Sequence, residues 1–144
     1  MAMTYEALTI QQVARRTGLT EPTLRYYEKI GLIGSVDRDD SSGHRRYGPA
    51  LVERIEALGC LRSTGMSVRD MRAYLDHLDA GDAPRLHALF RDNAERVAEE
   101  RERMLTRLRY LRLKADLWAA RERGDAAAEE RAVEAIAPVI AALR

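Results

Sequence analysis

Apolar residues recur at helical spacing through most of the chain, and the runs are separated by glycine, proline and small hydroxyl-bearing residues. Ile10, Val13 and Ala14 predict a first helix over 10–16, with Thr9 as its N-cap, Gln12 completing a capping box and Gly18 ending it. Thr20 caps a second helix, and Pro22 falls in its first turn, where a missing N–H costs little. Val13 and Leu24, with Ile30 and Leu32, form the inner stripe, and small Ala14 sits where the two helices cross. Two helices joined by a short glycine-containing turn are a helix-turn-helix pattern, whose second helix enters the major groove of DNA.

Gly34 to Tyr47 is polar and glycine-bearing, with a turn signal at Asp39 to Gly43 between segments able to pair as a hairpin. Beside a helix-turn-helix such a hairpin is a wing. Pro49 opens a helix to about Leu61 whose apolar side carries Leu51, Ile55, Leu58 and Cys60 or Leu61. Ser63 to Met66 break it, and Ser67 caps a fourth helix in which Val68, Met71, Tyr74, Leu75 and Leu78 face inward. Ala80 to Pro84 reads as a linker, with Asp82 capping a long helix that Gly124 ends.

At ~1.5 Å per residue that last helix is a rod of roughly 60 Å, too long for so small a chain to cover. Phe90, Val97, Met104, Leu111 and Trp118 recur every seven residues, with Ala94, Arg101, Leu108 and Ala115 at the alternating positions. This is the heptad pattern of a coiled coil, and the polar Arg101 is suited to fixing its register. The pattern does not choose between parallel and antiparallel pairing. Residues 125–144 predict a short amphipathic helix with Val133, Ile136, Ile140 and Leu143 on one face, bent or interrupted near Pro138. The expected organisation is a DNA-binding domain over 1–80, a dimerisation helix over 82–123 and a short tail over 125–144.

A chain of 144 residues suits one globular domain or a small domain with an appendage, and 46% hydrophobic with 33% charged residues does not suggest disorder. No apolar run approaches membrane-spanning length, and Met1 to Glu6 show neither the basic region nor the apolar stretch of a secretory signal. A cytoplasmic location is expected. The net charge is only +1, yet affinity for nucleic acid depends on local charge. Arg15, Arg16, Arg25, Arg45, Arg46 and Arg62 lie in the segments that would face DNA, without sequence-adjacent acids to match them.

Arg25 can fork onto guanine, and Thr23, Tyr26 and Tyr27 share its outward side of the second helix. One of the two tyrosines is expected to be half buried, with the hydroxyl of the other on the DNA backbone. Strand alternation lets at most two of Arg45, Arg46 and Tyr47 meet the backbone while the other packs inward, and Arg45 is assigned to phosphate. Arg62 and Thr64 belong to a turn that reads equally as a second phosphate-touching loop or as a plain helix connection. His44, His77 and His87 stand apart with no nucleophile–base pairing, phosphate loop or metal-ligand spacing, so neither enzymatic chemistry nor a cofactor is implied.

Ile10, Val13-Ala14, Thr17-Gly18, Thr23-Leu24-Arg25-Tyr26-Tyr27-Glu28, Gly31-Leu32-Ile33, Arg45-Arg46-Tyr47 and Thr64 to Ser67 together resemble the MerR family of bacterial transcription regulators. The likeness is close over residues 8–78 and architectural in the long helix. It implies a mainly α fold, a winged helix-turn-helix followed by an antiparallel coiled coil that makes a homodimer. It further implies double-stranded promoter DNA as ligand, bound at a pseudo-palindrome whose spacer is distorted so that RNA polymerase can engage. The dimer contacts would be Phe90, Val97, Met104, Leu108, Leu111 and Trp118. The thiols of metal-sensing members are lacking around residues 79–84 and 124–130, and the tail is too short for a large ligand domain. Cys60 resembles the lone cysteine of a subgroup proposed to sense aldehydes and other electrophiles. The alternatives are an inert core cysteine, an effector-independent DNA-binding protein, or a coiled-coil protein that recruits another chain.

Overall fold

The computed structural model describes residues 7–144; the N-terminal residues read above for a secretory signal lie outside the described residues. The described chain forms α1 (Ile10–Thr17), α2 (Glu21–Lys29), β1 (Asp37–Arg38), β2 (Arg45–Arg46), α3 (Pro49–Ser63), α4 (Val68–Asp79), α5 (Ala83–Glu122) and α6 (Ala126–Leu143). It divides into two compact units between Leu89 and Phe90, inside α5.

In the first unit the helix ends follow the local chemistry of the sequence. Thr9 accepts from the Gln12 backbone N–H at 3.2 Å and its own N–H donates to the Gln12 side chain at 2.9 Å, a complete capping box. Gly18 takes φ 74° to end α1, a left-handed conformation that a side chain would strain. Thr20 caps α2 through the Thr23 N–H, and Ser67 caps α4 through the Asp70 N–H. Val13, Leu24, Tyr27, Leu32, Ile33, Tyr47, Val52, Ile55, Leu58, Leu61, Met71 and Leu75 fill one core, on which Ala14, Ile30 and Leu51 also pack. Cys60 lies on the exposed side of α3, and Leu61 takes the core place that Cys60 was an alternative for.

Gly59 is in the middle of α3, where glycine costs about 1 kcal/mol in helix propensity. A Cβ there would stand 2.7 Å from the Thr17 carbonyl oxygen. The close approach of α1 to α3 therefore requires glycine, although the hydrophobic pattern shows no trace of it.

The wing is a two-stranded antiparallel ladder with Asp37 opposite Arg46 and Arg38 opposite Arg45. Asp39 closes its turn: one carboxylate oxygen accepts from the Ser41 N–H at 2.9 Å, the Ser41 hydroxyl at 2.6 Å and the Ser42 N–H at 3.2 Å. These hydrogen bonds, led by the Ser41 hydroxyl, hold the Asp39 carboxyl down at about 2. Leu8 pairs with Tyr47 beyond the ladder, through N–H to carbonyl bonds of 2.8 and 2.9 Å, and ties the entering chain to the wing's base.

The second unit is a helical hairpin. Gly124 takes φ 66° and Asp125 caps α6 through the Ala128 N–H. Leu117 packs with Ala132 and Ile136, flanked by Tyr110 and Leu113, and Arg121 donates to Glu129 at 2.8 Å. At about 100° per residue this face of α5 lies roughly opposite the heptad seam. Phe90, Val97, Met104, Leu108, Leu111 and Trp118 are accordingly left exposed, Leu111 at 64% and Trp118 at 60%. Of the two expectations for the tail, a bend or an interruption, the interruption is not found, because α6 continues through Pro138. Burial of Ala132, Ile136 and Val139 along its inner side offsets the hydrogen bond that proline removes.

Candidate nucleic-acid interface

Helix α2 presents its residues in two sets. Leu24 and Tyr27 point into the core, Tyr27 at 3% exposure with its hydroxyl 3.9 Å from the Met71 sulfur. Arg25 and Tyr26 point outward, and Tyr26 is 51% exposed. The Tyr26 and Tyr27 rings stand tilted with centroids 6.2 Å apart, so the buried ring braces the exposed one. Tyr27 is thus corrected from a DNA contact to a core residue that anchors α2, with its hydroxyl against the Met71 sulfur.

A groove of about 350 Å³ runs along one side of α2, lined by Pro22, Thr23, Tyr26, Tyr27, Arg62, Met66, Val68 and Met71. Arg62 spans it, donating to the Thr23 hydroxyl at 2.7 Å. This bond joins the last turn of α3 to the first turn of α2. Thr64 donates its hydroxyl to the Leu61 carbonyl at 2.6 Å, and Ser63 donates to the Cys60 carbonyl at 2.5 Å, so both hydroxyls cap the end of α3.

On the other side, a groove of about 390 Å³ separates α2 from the wing. Arg25 and Glu21 form its helical wall, Arg38, Gly43, His44 and Arg45 the wing wall, and Thr9, Ile10 and Gln11 its end at the start of α1. Arg45 is not free here. Its Nε donates to Glu28 Oε2 at 2.6 Å, and both side chains are largely shielded from water. Below them Tyr47 is fully buried and its hydroxyl finds no partner among the described residues. Burial, with Glu28 nearby, pushes the Tyr47 hydroxyl above its usual range. Tyr47 is therefore corrected from a backbone contact to a core residue, since it is fully buried within the first unit's core.

The arginines expected to lack acids also divide. Arg16 pairs with Glu56 of α3, Arg45 with Glu28 and Arg46 with Asp39 at 3.4 Å, pairings between distant positions that neighbour counting along the chain misses. Arg15 and Arg25 are exposed and carry no ion pair among the described residues. The exposed pair of Arg16 contributes little to stability, of order 0–1 kcal/mol, and opens easily. Arg38 is the residue that sequence reasoning missed. It stands alone between acids at positions 37 and 39, and only its ladder register with Arg45 reveals its place in the groove.

Among the described residues no His/Cys/Asp/Glu cluster has the makings of a metal site, and no helix is long and apolar enough to cross a membrane.

Residues 8–78 match the MerR HTH family regulatory protein description. AdhR, an HTH-type transcriptional regulator of Bacillus subtilis, is 39% identical over 98 residues, 68% of this chain and 66% of AdhR. The chain thus matches just under two thirds of that relative's length. CueR, an HTH-type transcriptional regulator of Vibrio cholerae, is 31% identical over 118 residues, 82% of this chain and 83% of CueR. Among solved structures, HiNmlR, a MerR family regulator lacking the sensor domain and bound to promoter DNA, is similar with a TM-score of 0.62. It shares 28% identity, and the match covers 82% of this chain and 95% of that one. A MerR family transcriptional regulator from Listeria monocytogenes is similar with a TM-score of 0.64 and 26% identity, over 87% of this chain and 99% of that one. These named relatives are regulators rather than enzymes, and with the wing, the paired helices and the residues 8–78 match in agreement, the chain belongs to the MerR helix-turn-helix family.

Proposed function

We propose that this chain is a transcription regulator that binds a pseudo-palindromic promoter site as a homodimer and distorts the spacer between its half-sites to control RNA polymerase. The observation that carries the reading is the outward pair Arg25 and Tyr26 on α2, held by buried Leu24 and Tyr27 and flanked by two grooves. A helix anchored in this way presents a guanidinium to base edges and a phenol to phosphate with little freedom to lose on binding. The DNA-bound HiNmlR, similar over 95% of its chain, supports promoter DNA as the ligand.

The exposed seam of α5 supports the dimer. Phe90, Val97, Met104, Leu108, Leu111 and Trp118 repeat along a side of the helix that α6 leaves bare, and a second copy in antiparallel pairing covers it. A dimer carries two copies of α2, one for each half-site, and part of the specificity comes from the deformability of the DNA between them. The protein would act in the bacterial cytoplasm, at the nucleoid.

The effector is an electrophile or another small molecule. Exposure of Cys60 on α3 supports the first, because an inert core thiol would be buried.

Footprinting on the promoter upstream of the protein's own gene tests the regulator reading. Protection of an inverted repeat, lost in Arg25→Ala, is expected; no protected repeat at modest salt overturns it. For the effector, a transcriptional response to aldehydes that is unchanged in Cys60→Ser would remove the thiol from the mechanism.

A further inference from the structure

The wing carries two arginines on one face. Residues directly opposite in an antiparallel pair project to the same side, so Arg38 and Arg45 stand side by side and repel each other unless one is neutralised. Glu28 neutralises Arg45. The 2.6 Å bond from Arg45 Nε uses the guanidinium to fix the wing against α2, in a place largely closed to water. Arg38 is the exposed member: among the described residues it donates only to the Gly43 carbonyl, at 3.1 Å, which leaves its other donors for the groove that it shares with Arg25.

The charges around this groove give Arg38 a deciding part. Arg25, Arg38 and Arg45 contribute +3, Glu21 and Glu28 contribute −2, and the sum is +1. Without Arg38 the sum is zero, and an incoming phosphate would face Glu21 with no net attraction. Arg25 has the task of base readout on α2, and Arg45 is already bound.

Resting on the regulator reading above, we propose that Arg38 makes the wing's contact with a DNA backbone phosphate, and that Arg45 is a positioning residue which Glu28 holds so that the wing keeps its angle to α2. A backbone phosphate suits this groove because it brings one negative charge to a site whose balance is +1, and because a guanidinium can fork onto two of its oxygens.

Salt-dependent anisotropy of the full chain with a fluorescein-labelled duplex of mixed sequence tests this, since each neutralised phosphate contributes about 0.9 to the slope of log K against log salt. Arg38→Ala is expected to melt at the wild-type temperature, to lower the slope by about 0.9 per protomer and to weaken binding about tenfold at low salt. Arg38→Lys should keep the slope. Arg45→Gln is expected to melt lower and bind more weakly with an unchanged slope, and the double variant Glu28→Gln/Arg45→Gln should regain binding. A wild-type slope in Arg38→Ala, or a loss of slope in Arg45→Gln, overturns the assignment while leaving the regulator reading intact. Failure of the wild-type chain to bind the duplex overturns both.

Discussion

Tyr47→Phe separates a core tyrosine from a DNA-contacting one. Tyr47 is 0% exposed and its hydroxyl has no hydrogen-bond partner among the described residues, so folding takes that hydroxyl out of bulk water without a protein partner among them. An unsatisfied buried hydroxyl costs of order 1–3 kcal/mol, and the phenylalanine ring keeps the same packing without it. Tyr47→Phe should therefore stabilise the first unit by about 1 kcal/mol, which for a domain of this size raises the melting temperature by roughly 4–8 °C. Tyr47→Ala should instead cost about 3–5 kcal/mol by emptying the space below the wing. Thermal melts followed by circular dichroism measure both. The pH dependence has a definite sign. The folded Tyr47 hydroxyl titrates above its ordinary 10.0, so the unfolded chain releases this proton first. Its contribution is present below pH 10 and is lost as pH rises toward the folded value, and the advantage of the phenylalanine variant widens over that alkaline window. A phenylalanine variant destabilised by more than about 1 kcal/mol would mean that the hydroxyl has a partner. A variant of normal stability that binds DNA poorly would return Tyr47 to the interface.

Three further outcomes follow from the packing. Gly59→Ala should destabilise by about 1–3 kcal/mol despite alanine's better helix propensity, because its Cβ meets the Thr17 carbonyl at 2.7 Å; a chemical melt showing a gain would mean that α1 can shift away from α3. Asp39 is held at about 2, so its support of the wing turn is present above the ordinary carboxylate value of 3.8 and is lost as pH falls toward 2. A carboxyl NMR titration of Asp39 should find its midpoint near 2, and a midpoint near 3.8 would refute the hydrogen-bonded turn. Leu111→Glu places a charge on the exposed seam of α5, and light scattering should show the proposed homodimer for the wild type and a monomer for the variant; an unchanged mass would move the proposed contact elsewhere.

The elements were readable from the chain because their signals are local. Thr9 with Gln12, Gly18, Thr20, Ser67 and Gly124 mark helix ends through contacts spanning three or four residues, and the structure keeps them. The heptad seam was readable for the same reason, since a helix converts sequence spacing directly into a face. Pro138 does not interrupt α6 because the local rule for helix interiors competes with the packing of Ala132 and Ile136 on Leu117 of α5, a contribution no local rule contains.

Side-chain direction within the interface was a different matter. Alternation along the wing's return strand says that Arg45 and Tyr47 share a face, but not that this face turns toward Glu28 and the core. That orientation depends on contacts between residues far apart in the chain, Leu8 with Tyr47 and Arg45 with Glu28. The sequence by itself determined which helices form, where they end and which face of α5 stays apolar. Only the tertiary structure decided that Tyr27 and Tyr47 are core, that Arg16, Arg45 and Arg46 are paired, and that Arg38 is left facing the groove. Capping and periodicity act over a few residues, whereas burial and ion pairing depend on which distant segments meet.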